Sequence, residues 1–202
     1  MNGLARLGAL LVTAVVLVGC RVGEPAPVPL AGDEPQVVAV WPFVLAEQPV
    51  DAELLLGSLG GAMTARGYRT ISYAVGLQML RDANMADAAE VTRAGAVLGA
   101  DAVLQVLVRE FEASGSRPLR EARWDLQWRL LSTRGGCVLW SFAQRGAMRA
   151  NLGDGGDPHR ALDAERDIVP MGGGAPVTYR DADELVASLH RLALSRLPRR
   201  SP

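Results

Sequence analysis

Trp124-Asp125-Leu126-Gln127-Trp128-Arg129-Leu130 alternates large apolar and polar residues without a break. That period of two marks a strand with one face buried and one face wet. Ser132-Thr133-Arg134-Gly135-Gly136 follows as a turn, and Val138 to Gln144 returns with Val138, Trp140 and Phe142 on one face. Upstream, Leu98-Gly99-Ala100-Asp101 is a tight helix-to-strand turn, and Ala102 to Phe111 is a continuous β-rich run. These three runs read as an antiparallel meander.

Before the meander the pattern differs. Gln36 to Phe43 is an apolar strand ended by Pro42, and Tyr68 to Tyr73 is a second. Between them Asp51 serves as N-cap of a helix running to about Arg66, with Gly67 as its stop. Gly57, Gly60 and Gly61 are poor helix formers, so this helix either packs closely on the sheet or kinks. Val75 to Ala83 and Ala86 to Leu98 read as two short helices. Strands joined by helical crossovers run parallel. The expected fold is therefore α/β: a mixed five-stranded sheet in the order 2-1-3-4-5, with helices packed on it. A last helix starts at Asp181 and runs to about Leu197, with Leu185, Leu189 and Leu192 inward. Residues 36–198 make one domain.

The amino terminus carries a different signal. Leu7 to Leu17 is an apolar run behind Arg6. It has the size of a signal-peptide core and is shorter than the roughly 20 residues of a membrane-spanning helix. Leu17-Val18-Gly19-Cys20 at its end resembles a bacterial lipobox, which implies removal of residues 1–19 and acylation of Cys20. Arg21 in place of Asp implies, by the same resemblance, delivery to the outer membrane with the domain facing the periplasm. Residues 20–35 contain Pro25, Pro27, Pro29 and Pro35 and read as a semi-extended tether that at roughly 3 Å per residue lifts the body some 40 Å from the lipid.

Composition excludes several chemistries. The chain has 22 Asp+Glu against 21 Lys+Arg, and every basic residue is Arg. A strongly basic nucleic-acid footprint is not expected, and no lysine Schiff base can form. Cys137 stays alone once Cys20 is acylated, so no intramolecular disulfide is expected. His159 and His190 match no zinc spacing, and no Gly-x-Ser-x-Gly elbow or phosphate loop occurs. Ser58 lies between Gly57 and Gly60 but inside the expected helix. We expect no catalytic residues, no metal and no cofactor.

Gly67-Tyr68 after the first helix, Leu98 to Leu104 into a strand, and a Gly-rich turn before Val138-Leu139-Trp140 together resemble a family of bacterial outer-membrane lipoproteins of unassigned activity. The resemblance covers about residues 36–145. It implies a fold shared with the TolB amino-terminal domain, and more distantly with CsgG and LpoB. One departure is Trp41-Pro42-Phe43, where such families often carry a Leu-Pro-Pro-like strand end. The resemblance implies a periplasmic interaction or assembly role, with envelope or secretion proteins as partners. The alternative is a subunit of a CsgG-like oligomeric secretion complex, and a homo-oligomer stays open.

The expected partner-binding surface is the loop Val44 to Val50, the hairpin tip Ser114 to Arg120 and the Gly-rich loop Asn151 to Thr178. Trp41, Phe43, Arg117 and Arg160 are its candidate contacts. Trp41 and Phe43 lie at the carboxyl end of the first strand, where open α/β sheets form crevices. A ring exposed there would anchor a partner; a ring buried there would be core.

Overall fold

The computed structural model describes residues 29–46, 49–85, 91–115, 118–149 and 179–200. The leader, Cys20, Arg117, Arg160 and the loop 151–178 lie outside these.

The strands are β1 (Val37–Val40), β2 (Leu45–Ala46), β3 (Arg69–Ile71), β4 (Ala102–Ser114), β5 (Glu121–Ser132) and β6 (Val138–Arg149). Their order is β3-β1-β4-β5-β6, with β2 paired to β4 off that path. β1 is parallel to both β3 and β4, whereas β4, β5 and β6 are antiparallel. The main path is the expected order. The added piece is β2, a two-residue strand parallel to Leu107 and Val108 of β4. It lies in the stretch after Pro42 that the sequence reads as loop, because two residues carry no periodicity.

The helices are α1 (Ala52–Leu56), α2 (Leu59–Thr64), α3 (Tyr73–Asp82), α4 (Val91–Leu98) and α5 (Ala182–Ser195). Asp51 caps α1 by accepting from the backbone N–H of Glu53 and Leu54 at 2.9 and 3.3 Å. Asp181 caps α5 in the same way through Glu184 at 3.1 Å. The single helix expected over 51–66 is two helices, with Gly57 and Ser58 between them. Gly67 closes this unit with φ +89°, and a Cβ there would come within 2.9 Å of the Arg200 carbonyl. Only glycine fits both conditions.

α1, α2 and α5 cover one face of the sheet and α3 and α4 the other. The first face buries Leu55, Leu59, Met63, Trp128, Trp140, Leu185 and Leu194 among others. The second buries Ala39, Trp41, Leu80, Leu98 and Val103. At ~25 cal/mol per Å² of apolar surface removed from water, these layers supply the main stabilisation. Gly95 of α4 lies so close to Thr133 that a Cβ would fall 2.2 Å from the threonine Cβ. Thr133 in turn donates its hydroxyl to the carbonyls of Ala100 and Asp101 at 2.6 and 2.9 Å. This knot ties the end of β5 to the start of β4.

The expected tether is shorter than 20–35. Leu30 packs against the core, and the Ala31 N–H donates to the Leu139 carbonyl at 2.8 Å. Gln36 and Val37 both donate backbone N–H groups to the Asp101 carboxylate at 3.0 Å. The chain therefore joins the body at the end of the sheet where β1, β3, β4 and β6 begin.

Candidate partner-binding surface

The meander is much longer than the parallel part of the sheet. β4 meets β1 only over Ala102 to Leu104 and β2 only at Leu107 and Val108. β4 and β5 stay paired out to Ser114 and Glu121, and β5 and β6 out to Glu121 and Arg149. The outer half of the meander thus extends past the parallel strands, at the end away from residues 30–37. Beneath it Trp124, Leu126 and Met148 are buried. Gly146 leaves room for the Trp124 ring, whose atoms would lie 2.5 Å from a Cβ there. On the outward side Glu112 faces Arg123, and Asp125 lies between Glu110 and Arg145. Nearer the middle, Arg129 donates to the Gln127 side-chain oxygen at 3.0 Å. This side of the meander is open and carries both signs of charge.

The tip itself is held. The Arg120 N–H donates to Ser114 and the Leu119 N–H to Tyr179, both at 3.0 Å, and Leu119 is buried. Tyr179, just ahead of the Asp181 cap of α5, is thereby stitched to the hairpin.

The two aromatic candidates part company. Trp41 is 1% exposed. Its ring belongs to the core with Leu80 and Leu98, and its backbone N–H donates to the Leu104 carbonyl at 2.9 Å. It cannot serve as a surface anchor, because α3 and α4 close over that face of β1. Phe43 is half-buried and meets Trp41 edge to face at 5.8 Å between centroids. Leu45 beside it is 44% exposed. Arg117 and Arg160 lie outside the described residues.

Sequence reading missed one polar contact. Ser58 Oγ and His190 Nδ1 are 2.8 Å apart. Ser58 lies at the break between α1 and α2, and His190 is fully buried on α5. The Trp128 ring stands edge to face with the imidazole at 5.9 Å. Burial alone pushes the His190 pKa down to about 3, so the ring is neutral near neutral pH. Among the described residues its Nε2 has no hydrogen-bond partner. A nucleophilic serine needs a histidine of useful basicity, oriented by a third group on its other nitrogen. Among the described residues neither condition is met, and the pair joins the α1–α2 break to α5. The spacing Val186, His190, Leu194 was the available clue: steps of four place the histidine on the apolar stripe.

Cys137 is an exposed free thiol in the turn before β6. Among the described residues no three His, Cys, Asp or Glu side chains gather as metal ligands. No described helix is long and apolar enough to cross a membrane.

No protein-family profile and no curated protein matches the chain. Among solved structures, lipoprotein GNA1162 from Neisseria meningitidis is 24% identical, with 60% of this chain and 88% of that one covered and a TM-score of 0.47. The PelC dodecamer from Paraburkholderia phytofirmans is 18% identical over 87% of this chain and 94% of that one, with a TM-score of 0.44. The LpoB C-terminal domain from Salmonella enterica is 18% identical over 60% and 85%, with a TM-score of 0.38. Likeness at this level says nothing about activity.

Proposed function

We propose that this protein is held by lipid at Cys20 on the periplasmic side of the outer membrane. There it acts without catalysis, binding protein partners in an envelope assembly or export system. The observation that carries the reading is the lopsided sheet. The chain joins the body at one end, and the charged, open meander extends at the other. A body tethered at its entry end presents that meander away from the lipid. Phe43, Arg117 and Arg160 are the contacts we assign to the partner, and Trp41 supports Phe43 from within the core.

The reading as a subunit of a CsgG-like secretion complex fits less well. A membrane hairpin needs one apolar, lipid-facing side. The outward side here carries Glu112, Arg123, Asp125 and Arg145, and the apolar side packs beneath the sheet.

Two measurements test the proposal. Wild-type protein is expected to take up labelled palmitate and to fractionate with membranes. Cys20→Ala is expected to take up none, since it lacks the thiol that carries the acyl chains. Photocrosslinkers at positions 43, 117 and 160 are expected to capture an envelope protein, with buried position 41 as the built-in blank. If those three positions capture no more than position 41, the partner-binding role is wrong.

A further inference from the structure

The entry end of the body has its own charge pattern. Arg69 opens β3 beside Val37 at the start of β1. Arg134 lies in the turn after β5, whose last residue pairs with Ala102 at the start of β4. Arg200 donates its backbone N–H to the Arg66 carbonyl at 3.0 Å and its guanidinium to the Gln36 carbonyl at 3.1 Å. Arg66 in turn donates to the carbonyls of Ser195 and Leu197. The carboxyl-terminal segment is thus folded back onto this end, and it brings exposed Arg199 with it.

Five arginines therefore share the end with Asp33, Glu34 and Asp101. The Asp101 carboxylate is occupied by two backbone N–H groups. Arg69 and Arg134 are exposed. The projecting end differs: there acidic and basic residues face each other across the strands.

The chain enters the body at this same end, and the stretch from Cys20 to Leu30 reaches at most about 35 Å even when fully extended. The tether therefore lets these arginines meet the bilayer that holds Cys20, with attraction at close range needed to keep them there. Anionic headgroups attract a basic surface within roughly one Debye length, ~8 Å at physiological salt.

We infer that the arginine-rich entry end, centred on Arg69 and Arg134, is a docking face for the anionic phospholipid headgroups of the bilayer that holds the Cys20 acyl chains. The inference rests on the lipid anchoring proposed above. Its consequence is orientation: the body sits with its entry end on the membrane and its meander pointing outward.

The test uses the mature chain, residues 20–202, with Cys20→Ala, so that headgroup binding is read without leader or acyl chains. Acylation itself is read separately by palmitate labelling of the wild type, which keeps the two failures apart. The chain is expected to co-sediment with phosphatidylglycerol vesicles and not with phosphatidylcholine vesicles. Binding should vanish in about 1 M salt, where the Debye length is ~3 Å. Adding R69E and R134E should weaken it at least tenfold, at about fivefold per arginine lost near the surface, and both side chains are exposed. Adding R145E at the far end should leave it unchanged. Equal binding to both vesicle types, or equal losses from the two sets of substitutions, would overturn the inference. So would full displacement by millimolar inorganic phosphate at constant ionic strength, which would mark a discrete phosphate pocket instead of a membrane face.

Discussion

The parallel half of the molecule and the meander solve the same packing problem differently. In the parallel half β1 is buried between two helical layers, so Val38, Ala39, Val40 and Trp41 are all inaccessible. Its elements are short and are held by caps and close turns. In the meander the strands run to 12 or 13 residues, and their outer halves have one covered face. Burial there falls on alternate residues, Ala122, Trp124, Leu126, Trp128 and Leu130. The lesson is a division of labour. A strand covered on both sides has no surface to offer, whereas a strand covered on one side turns half its side chains toward a partner.

The sharpest way to break this comparison is to remove the side chain on which the meander is built. Trp128 is fully buried and touches Phe142 and His190. Trp128→Ala should cost about 3–5 kcal/mol, the range for large aromatic truncations in a core. If the two halves fold as one cooperative unit, one transition shifts in chemical denaturation, read by both fluorescence and far-UV circular dichroism. Loss of the meander alone, with the parallel half melting as before, would show that they are independent.

What could be read from sequence follows the same divide. The order of the main strands was legible because each local signal agreed: Asp51 and Asp181 as caps, Gly67 as a stop, Gly99 and Gly136 as turns, and the alternation of 124–130. The ends of the meander strands were not. Ala102 to Phe111 reaches Ser114 and Val138 to Gln144 reaches Arg149, because ladder hydrogen bonds are indifferent to side chains and continue through Glu112, Arg123 and Arg145. The break at Gly57-Ser58 was visible only as a choice between a packed and a kinked helix. The Ser58–His190 contact spans 132 positions, and no local pattern encodes it. Trp41 showed the limit for the candidate site: type and position in the chain marked an aromatic at a strand end, and only the helices packed over it decided that it is core.

His190 joins the two halves, since it bonds to the α1–α2 break and packs on β5. Its protonation therefore probes the seam. The imidazole titrates near 6.5 in the unfolded chain and about 3 in the folded one. Between those values the unfolded chain binds the extra proton, so acid favours unfolding. This contribution is complete above about pH 6.5 and falls by roughly 1 kcal/mol per pH unit below it. From pH 6.5 to 5, above most carboxylate titration, the wild type should lose stability in urea melts and His190→Leu should not. Parallel slopes for the two would mean that His190 is already protonated or already exposed in the fold.

The smallest effect tests whether the parallel half has slack. Gly61 sits inside α2 without a positive φ, and a Cβ there would meet nothing within 4 Å. Alanine is favoured over glycine in a helix interior by about 1 kcal/mol, largely because the unfolded glycine chain has more freedom to lose. Gly61→Ala should therefore raise stability by up to about 1 kcal/mol. Gly146 in the meander gives the opposite expectation, because the Trp124 ring already fills the space its Cβ would take. A stabilised Gly61→Ala beside a destabilised Gly146→Ala would place the tight packing in the meander. If Gly61→Ala destabilised as well, the α1–α2 unit would need glycine there for reasons other than space, and the short helices would be as constrained as the long strands.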